Sequence, residues 1–256
     1  MARHLRTLAL ATAIVLVALS ARAGEVNLRW NSCWGDGGTM NRLFACNTNV
    51  GSDALVASFV PVKHYVGIEG IDATVVFTTA GTTLPPWWQF RNAGSCRTGS
   101  LNATAAPPAT AVNCLDWAAG DANALMTAYT VDALGSGTVR FHVSAATVSG
   151  GTVDFAIGQE YFAFGLVLGH QKTVGTGFCS GCELGACIAI QRIDLLHPAP
   201  DPSEPLFPLG FQSDDRLVVW QGGIGVTQLT LSGLTSCPRA TPTRNSAWGA
   251  VKALYR

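Results

Sequence analysis

Two adjacent tryptophans follow two prolines in the stretch LPPWWQFRNAGSCR, and they are the side chains here best suited to bind a ligand. If the stretch is a strand, Trp88 and Phe90 share one face as core, and Trp87, Gln89 and Arg91 share the other. An indole beside an amide and a guanidinium suits a glycan, because the flat ring contacts sugar C–H groups and the neighbours bond to hydroxyls. The alternative is that a loop or the C-terminal segment covers Trp87, which is the common fate of tryptophan.

Eight cysteines form a second group with chemical potential. Behind a secretory signal, an even number of cysteines predicts disulfides. We expect Cys33 to pair with Cys46 and Cys96 with Cys114, since each pair closes a short loop, and we expect the other four to pair among themselves. The spacing C-x2-C-x4-C also fits a four-thiolate zinc site, but an oxidising compartment favours disulfides, so no metal or cofactor is expected. The remaining four cysteines are Cys179, Cys182, Cys187 and Cys237.

Catalytic motifs are missing from the sequence, which has neither G-x-S-x-G nor H-E-x-x-H. A glycosidase with two carboxylates stays open as an alternative, because such acids converge from distant positions to about 5–9.5 Å. Turns or solvated strand faces are the simpler explanation for each acid. The available acids are Asp116, Glu160, Glu183, Asp214 and Asp215.

Two segments near the first two cysteines are rich in oxygen ligands. Asp36-Gly37-Gly38 comes shortly after Cys33, and Asn47-Thr48-Asn49 directly follows Cys46. Such segments can bind calcium, but the D-x-D-x-D-G order of a calcium loop is not present. Turn formation explains both segments.

The elements that must position these residues are short apolar or alternating runs separated by Gly, Pro, Ser, Thr and Asn. Such runs are typical of strands. In one of them Ile71, Ala73 and Val75 share a face, while Asp72 and Thr74 share the other. The predicted strands are 54–60, 71–78, 139–143, 153–157, 161–168, 187–195, 217–220 and 227–231.

Many short strands with turns between them predict an all-β fold, a disulfide-stapled antiparallel β-sandwich of jelly-roll or cohesin-like type. The best interior helix candidate is 115–129, which Gly120 weakens. A turn and a short helix are predicted at the C-terminus, over 241–256, where Trp248 and Val251 fall at helical spacing. The predicted layout is therefore a signal peptide at 1–23, a β-sandwich domain at 24–240 and the C-terminal turn and helix at 241–256.

The signal peptide is predicted from a basic start, an apolar run of twelve residues and the cleavage pattern Ala21-Arg22-Ala23. That run is too short to span a membrane, and no other apolar run is long enough, so no membrane span is expected after cleavage. Cleavage leaves 13 basic and 16 acidic residues, a net charge of −3 with three lysines. This composition argues against a nucleic-acid partner. The expected location is the periplasm, the cell surface or the extracellular space.

Five motifs resemble those of a group of uncharacterised secreted bacterial proteins with no assigned activity. They are WNSC, FACNTN, LPPWWQFRNAGSCR, TVGTGFCSGC and the ending TPTRNSAWGAVKALYR, and the likeness extends over most of the mature chain. The resemblance implies that the cysteines and tryptophans belong to one scaffold and that the chain ends naturally at Arg256. It assigns no functional residue.

The leading functional hypothesis is an exported, non-enzymatic binding or surface-associated protein, with a polysaccharide or a surface protein as partner. Trp87, Gln89 and Arg91 form the first site to test. One alternative is a secreted hydrolase with paired carboxylates. Another is a purely structural envelope component, which requires a fully buried Trp87 and no concave site.

Overall fold

The computed structural model describes residues 26–91, 94–206 and 214–226, which form fourteen strands and several short 3-10 turns. In chain order the strands are β1 (Val26–Trp30), β2 (Asn41–Arg42), β3 (Ser52–Phe59), β4 (Tyr65–Ile68), β5 (Gly70–Thr79), β6 (Leu101–Thr104), β7 (Leu115–Asp116), β8 (Ala122–Val131), β9 (Thr138–Thr147), β10 (Val153–Phe155), β11 (Tyr161–Gly169), β12 (Ala186–Leu196), β13 (Glu204–Pro205) and β14 (Leu217–Trp220).

These strands form two large sheets and one two-stranded ribbon. The first sheet has the order β1-β3-β11-β6, with β7 paired to β11. The second has the order β2-β14-β12-β5-β9-β8, with β13 paired to β12, and the ribbon joins β10 to β4. All pairs are antiparallel except β7 with β11 and β2 with β14. The predicted all-β fold with disulfides is confirmed.

The local alternation of the sequence is what formed these strands. The predicted strands at 54–60, 71–78, 139–143, 153–157, 161–168, 187–195 and 217–220 are confirmed as β3, β5, β9, β10, β11, β12 and β14. In β5, Ile71, Ala73 and Val75 are buried in the core, while Asp72 and Thr74 on the other face are half-buried. The alternation of apolar and polar residues therefore predicted correctly which side of β5 faces the core.

The core lies between the two large sheets and is rich in tryptophan. Trp30 of β1 and Trp220 of β14 bring their ring centroids within 5.6 Å, which joins the two sheets. The Trp30 indole nitrogen donates to the carbonyl of Val219 at 3.0 Å. Trp87 and Trp88 pack against Trp220 at 5.1 and 5.8 Å. Each such ring removes roughly 150–250 Å² from water, so this cluster is a large share of the core.

The helix predicted over 115–129 is wrong. The segment contains β7, a turn and most of β8. Asp116 closes the turn, because its carboxylate accepts from the backbone N–H groups of Ala118 and Gly120. Gly120 has a φ of 87°, a left-handed conformation that stops a helix.

The disulfides pair differently from the prediction. Cys33 bonds to Cys114, Cys46 to Cys182 and Cys96 to Cys179, so the predicted pairs Cys33–Cys46 and Cys96–Cys114 are wrong.

The two ends of each predicted pair belong to different parts of the fold. Cys33 packs with Val56 and Phe162 on the face of the first sheet opposite the core, whereas Cys46 follows β2 of the second sheet. Cys182 is bonded to Cys46 and Cys179 to Cys96, both outside the 179–187 cluster. These bonds exclude a zinc site formed by the thiolates of Cys179, Cys182, Cys187 and Cys237. Cys187 is also disulfide-bonded.

Several predictions lie outside the described residues. They are the signal peptide at 1–23, the strand at 227–231, Cys237 and the turn and helix at 241–256. Within the described ranges, no helix has the length and hydrophobicity needed to cross a membrane.

Candidate functional site

The stretch around the two tryptophans contains a turn, so the condition that it is a strand, on which the sharing of faces depended, is not met. Pro86–Trp88 form a 3-10 turn, which the proline ring favours at its first position. Trp87, Trp88 and Phe90 are all fully buried, so the prediction of core is confirmed for Trp88 and Phe90. Trp87 therefore offers no exposed ring face to a glycan.

The two polar members of the predicted platform differ in exposure. Gln89 is half-buried, and its amide nitrogen donates to the carbonyl of Leu84 at 2.8 Å. Arg91 is exposed. The structure thus does not present Trp87, Gln89 and Arg91 as one accessible face, because a turn sends consecutive side chains in directions that a strand would not.

The loop 173–182 covers Trp87, as the alternative interpretation expected. The Trp87 indole nitrogen donates to the Thr173 hydroxyl at 3.1 Å, and its backbone nitrogen donates to the carbonyl of Ser180 at 2.9 Å. Asn49 fixes the start of the same loop, since its side-chain oxygen accepts from the backbone nitrogens of Thr173 and Val174 at 2.7 and 3.0 Å. Three of the motifs noted in the sequence therefore meet in one closed structural unit.

Arg97 is the buried charge of this unit. Its guanidinium lies 3.7 Å from the Trp87 ring centroid and donates to the carbonyls of Trp87 and Gly169. No carboxylate among the described residues pairs with it, and burial lowers the pKa of Arg97 to about 9. Stacking on an indole and two carbonyl acceptors is how this cation is held in the core.

A different part of the molecule forms a concave site. A groove of about 570 Å³ lies between the loop 31–39, β2 and Thr110, and we call it the Ser32 groove. Its volume is in the range of sites that hold a small ligand or part of a chain. Its lining includes Asn31, Ser32, Asp36, Asn41 and Arg42.

Local sequence explains why the loop holds its shape. Asn31 adopts a φ of 64°, which asparagine tolerates better than most residues, and its side-chain oxygen accepts from the backbone nitrogen of Ala54 at 2.8 Å. Gly38 donates to the carbonyl of Cys33 at 2.9 Å. A Cβ at Gly38 would lie 2.3 Å from the carbonyl oxygen of Ser32, so glycine is required there. The Cys33–Cys114 disulfide ties this loop to the segment that carries Thr110.

A buried charged cluster stands behind the groove. Asp53 is buried and forms an ion pair with Arg42, whose Nε lies 2.6 Å from Asp53 Oδ1, although the contact lacks hydrogen-bond geometry. The same carboxylate accepts from Asn31 Nδ2 at 3.2 Å and lies 3.0 Å from His170 Nε2. The other ring nitrogen of His170 lies 3.1 Å from the carbonyl of Val50, so both nitrogens face oxygen atoms. These contacts fix the carboxylate, and the carboxylate in turn fixes the Arg42 side chain.

Several hydrogen-bond donors of the groove lining have no partner among the described residues. Ser32 Oγ, which is buried in the groove wall, makes no hydrogen bond there, although buried hydroxyls normally have one. The Asn41 side-chain oxygen accepts from the backbone nitrogen of Gly222, whereas the NH₂ group of the same amide makes no hydrogen bond to a described residue. Arg42 uses Nε toward Asp53, and within the described part of the chain neither Nη group makes a hydrogen bond.

The acceptors in the groove are already occupied. The Asp36 carboxylate receives the backbone nitrogens of Val112 and Asn113 at 3.1 and 2.9 Å, together with the Asn113 side-chain nitrogen at 2.8 Å. Thr110 donates its hydroxyl to the carbonyl of Asn31 at 3.1 Å. The free capacity of the groove is therefore on the donor side.

The acids considered for hydrolysis have structural partners or lie on the surface. Asp116 caps its own turn, and Glu160 accepts from two backbone N–H groups of the loop after β1. Asp215 forms an ion pair with a buried arginine of β1, Asp214 begins a 3-10 turn and Glu183 is exposed. None of these five lines the Ser32 groove.

The sequence analysis did not single out Ser32, Asn41 or Arg42 as site residues, although it noted the WNSC motif, which contains Ser32, and interpreted Asp36-Gly37-Gly38 correctly as a turn. A usable signal was the density of Asn, Ser, Thr and Asp between an aromatic strand end and the second cysteine. That signal does not say which of these side chains keep free donors.

Comparison with known proteins found no matching protein-family model, curated protein or solved structure. The resemblance to secreted bacterial proteins stays a prediction, and the function is inferred from the geometry of the site.

Proposed function

We propose that this protein is an exported, non-enzymatic binding protein and that the Ser32 groove is its site for a polysaccharide. The observation that carries the proposal is a set of donors without partners among the described residues: Asn41 Nδ2 and the Arg42 Nη groups line an open groove, and Ser32 Oγ is buried in its wall. Sugars supply many oxygen acceptors, and a groove admits a chain. Three disulfides among the described residues support export, because disulfides persist in oxidising compartments.

Two features of the groove indicate that the site is formed before a ligand binds. The Cys33–Cys114 disulfide and the Asp53 contacts hold the groove walls before any ligand arrives. A wall that is already ordered costs less conformational entropy on binding, so an open, polar groove can still bind usefully.

The two alternative functions receive less support. A purely structural component required a fully buried Trp87 together with no concave site, and only the first of these marks is present. A hydrolase required paired acids in a cleft. The five candidate acids are not part of the groove lining, and Asp36, which is part of it, accepts from the backbone nitrogens of Val112 and Asn113.

The test is binding of the mature protein to a panel of soluble and insoluble polysaccharides, with Asn41→Asp as the site variant. Aspartate keeps the acceptor for Gly222 but removes the free NH₂ group, so binding should weaken while the fold is retained. Asn102→Asp is the matched control, because Asn102 is an exposed residue of β6 outside the groove. Binding that Asn41→Asp and Asn102→Asp reduce equally, or no binding at all, contradicts the proposal.

A further inference from the structure

The Arg42 guanidinium has one edge in use and one edge free. Nε lies 2.6 Å from Asp53 Oδ1, which anchors the side chain, and about a third of that side chain remains exposed at the groove. The two Nη groups form a fork whose geometry matches the two oxygens of a carboxylate. Asp53 is held by Asn31 and His170 as well, so the anchor does not depend on Arg42 alone.

The neighbouring groups extend this fork in a consistent way. Among the described residues, Ser32 Oγ has no hydrogen-bond partner and the Asn41 NH₂ group makes no hydrogen bond, so the lining that contains the guanidinium holds two further donors. Among the described residues, Asp36 is the one acid that lines the groove, and its carboxylate already accepts from three N–H donors. A ligand with an anionic group and several further oxygen acceptors satisfies this set better than a neutral one.

We propose that the Ser32 groove selects polysaccharides that carry carboxylates, that is, chains of uronic acids, and that Arg42 is the residue that makes the selection. This inference rests on the proposed function and adds the ligand class. Selection is local, because the mature chain has a net charge of −3 and gives no general attraction for anions. Asp53 already offsets the charge of Arg42, so the selection rests on the paired hydrogen-bond donors of the two Nη groups, and salt should weaken binding only modestly.

The probe is polygalacturonate, compared with the same polymer after chemical reduction of its carboxyl groups and with dextran sulfate. Binding of the mature protein is measured by isothermal titration calorimetry for the wild type, Arg42→Gln and Arg192→Gln. Arg192 is a matched control, since it pairs with Asp194 through Nε at the same 2.6 Å but lies on β12, outside the groove.

The expected result is binding of polygalacturonate by the wild type and by Arg192→Gln, with little binding of the reduced polymer. Arg42→Gln should weaken binding roughly 10- to 100-fold, the usual effect of removing hydrogen bonds to a charged group. Circular dichroism and thermal unfolding verify the fold. If Arg42→Gln does not fold, Arg42→Lys replaces it, and loss of the two-pronged donor should still weaken binding.

Other outcomes separate the two proposals. In one such outcome, polygalacturonate and its carboxyl-reduced form bind equally, Arg42→Gln leaves binding unchanged and Asn41→Asp weakens it. This result keeps the proposed function and overturns selection by carboxylate. Equal binding of dextran sulfate, lost in Arg42→Gln, overturns the carboxylate assignment in favour of sugar anions in general. No binding of any polymer by the wild type overturns both.

Discussion

At position 87, both nitrogens of a single tryptophan have partners in the loop 173–182, while its ring packs against Trp220 and the Arg97 guanidinium. A side chain with this many specific partners acts as a centre of packing. Its neighbour Trp88 is equally buried, but its indole nitrogen has no hydrogen-bond partner in the described part of the chain. The two adjacent rings are therefore equivalent in burial and different in how their polar atoms are satisfied.

Trp87→Ala should lower the free energy of unfolding by about 3–5 kcal/mol, because it leaves a cavity and removes the surface on which Arg97 stacks. Denaturant unfolding followed by circular dichroism measures this. Arg91→Ala is the control, and an exposed side chain of this kind should change stability by less than about 0.5 kcal/mol. A Trp87→Ala protein as stable as the wild type would show that the ring is not part of the core.

Tyr129→Phe should destabilise the protein by about 1 kcal/mol at neutral pH, because the Tyr129 hydroxyl donates to the carbonyl of Trp88 and accepts from the backbone nitrogen of Phe90. Burial raises the pKa of Tyr129 to about 12. In the unfolded chain the tyrosine pKa is about 10, so the unfolded chain loses the Tyr129 hydroxyl proton at a lower pH than the folded protein does.

The contribution of Tyr129 is therefore complete below about pH 10 and is lost as pH rises through about 12. Unfolding free energies of wild type and Tyr129→Phe between pH 8 and 11.5 check this, and the gap should narrow at the upper end. Two curves that stay parallel over the whole range contradict the prediction.

At the scale of elements, the loop 31–39 depends on close approach of its backbone. The hypothetical Cβ of Gly38 would meet the Ser32 carbonyl oxygen at 2.3 Å and the Cys33 carbonyl oxygen at 2.9 Å. Backbone atoms cannot rotate away as a side chain can, so the loop itself would have to move. The groove is therefore sensitive to a single methyl group at this position.

Gly38→Ala should lower stability by about 1–3 kcal/mol and also abolish binding at the groove, since it displaces Ser32. Thermal unfolding and polysaccharide binding measure the two effects. Gly151→Ala is the matched control, because its Cβ would meet only the Ser149 hydroxyl at 3.2 Å. Retention of full binding by Gly38→Ala would show that this loop does not form the site.

At the scale of the whole molecule, the disulfides connect segments that are far apart in the chain. Their sequence separations are 81, 136 and 83 residues. Two of them, Cys46–Cys182 and Cys96–Cys179, tie the loop 173–182 to the segments that carry Asn49 and Trp87. The covering of the tryptophans is thus secured covalently as well as by hydrogen bonds.

Peptide mapping without reduction should find Cys33–Cys114, Cys46–Cys182 and Cys96–Cys179, and it should find Cys187 linked to Cys237, the cysteine that the count leaves over. The intact mass should rise by eight hydrogens on reduction. Peptides that link Cys33 to Cys46 would contradict this pairing.

Removing the Cys96–Cys179 bridge by a double substitution to alanine should lower stability by roughly 4 kcal/mol, as the chain-entropy model gives for a loop of this length. Chemical unfolding of the double variant measures this. The variant should also expose Trp87 to a quencher of tryptophan fluorescence more than the wild type does. Unchanged stability and quenching would mean that hydrogen bonds alone hold the loop.

Sequence reasoning succeeded where the deciding interaction is local. The alternation in β5, with Ile71 and Val75 inward and Asp72 outward, needs only neighbouring residues to be read. The all-β class, the positions of most strands and the presence of disulfides follow from such local signals. The same logic failed at Pro86–Trp88 and at 115–129, because Pro86 and Gly120 direct turns that alternation and helical spacing do not reveal.

The tertiary structure alone decided which cysteines pair, what covers Trp87 and where a groove opens. Each of these depends on contacts between segments tens of residues apart, such as Thr173 on Trp87 or Arg42 on Asp53. Residue types indicate that a cysteine will form a disulfide or that an arginine will form an ion pair with a carboxylate. Which partner is within reach is set by the order of strands in the two sheets, and no local pattern in the sequence encodes that order.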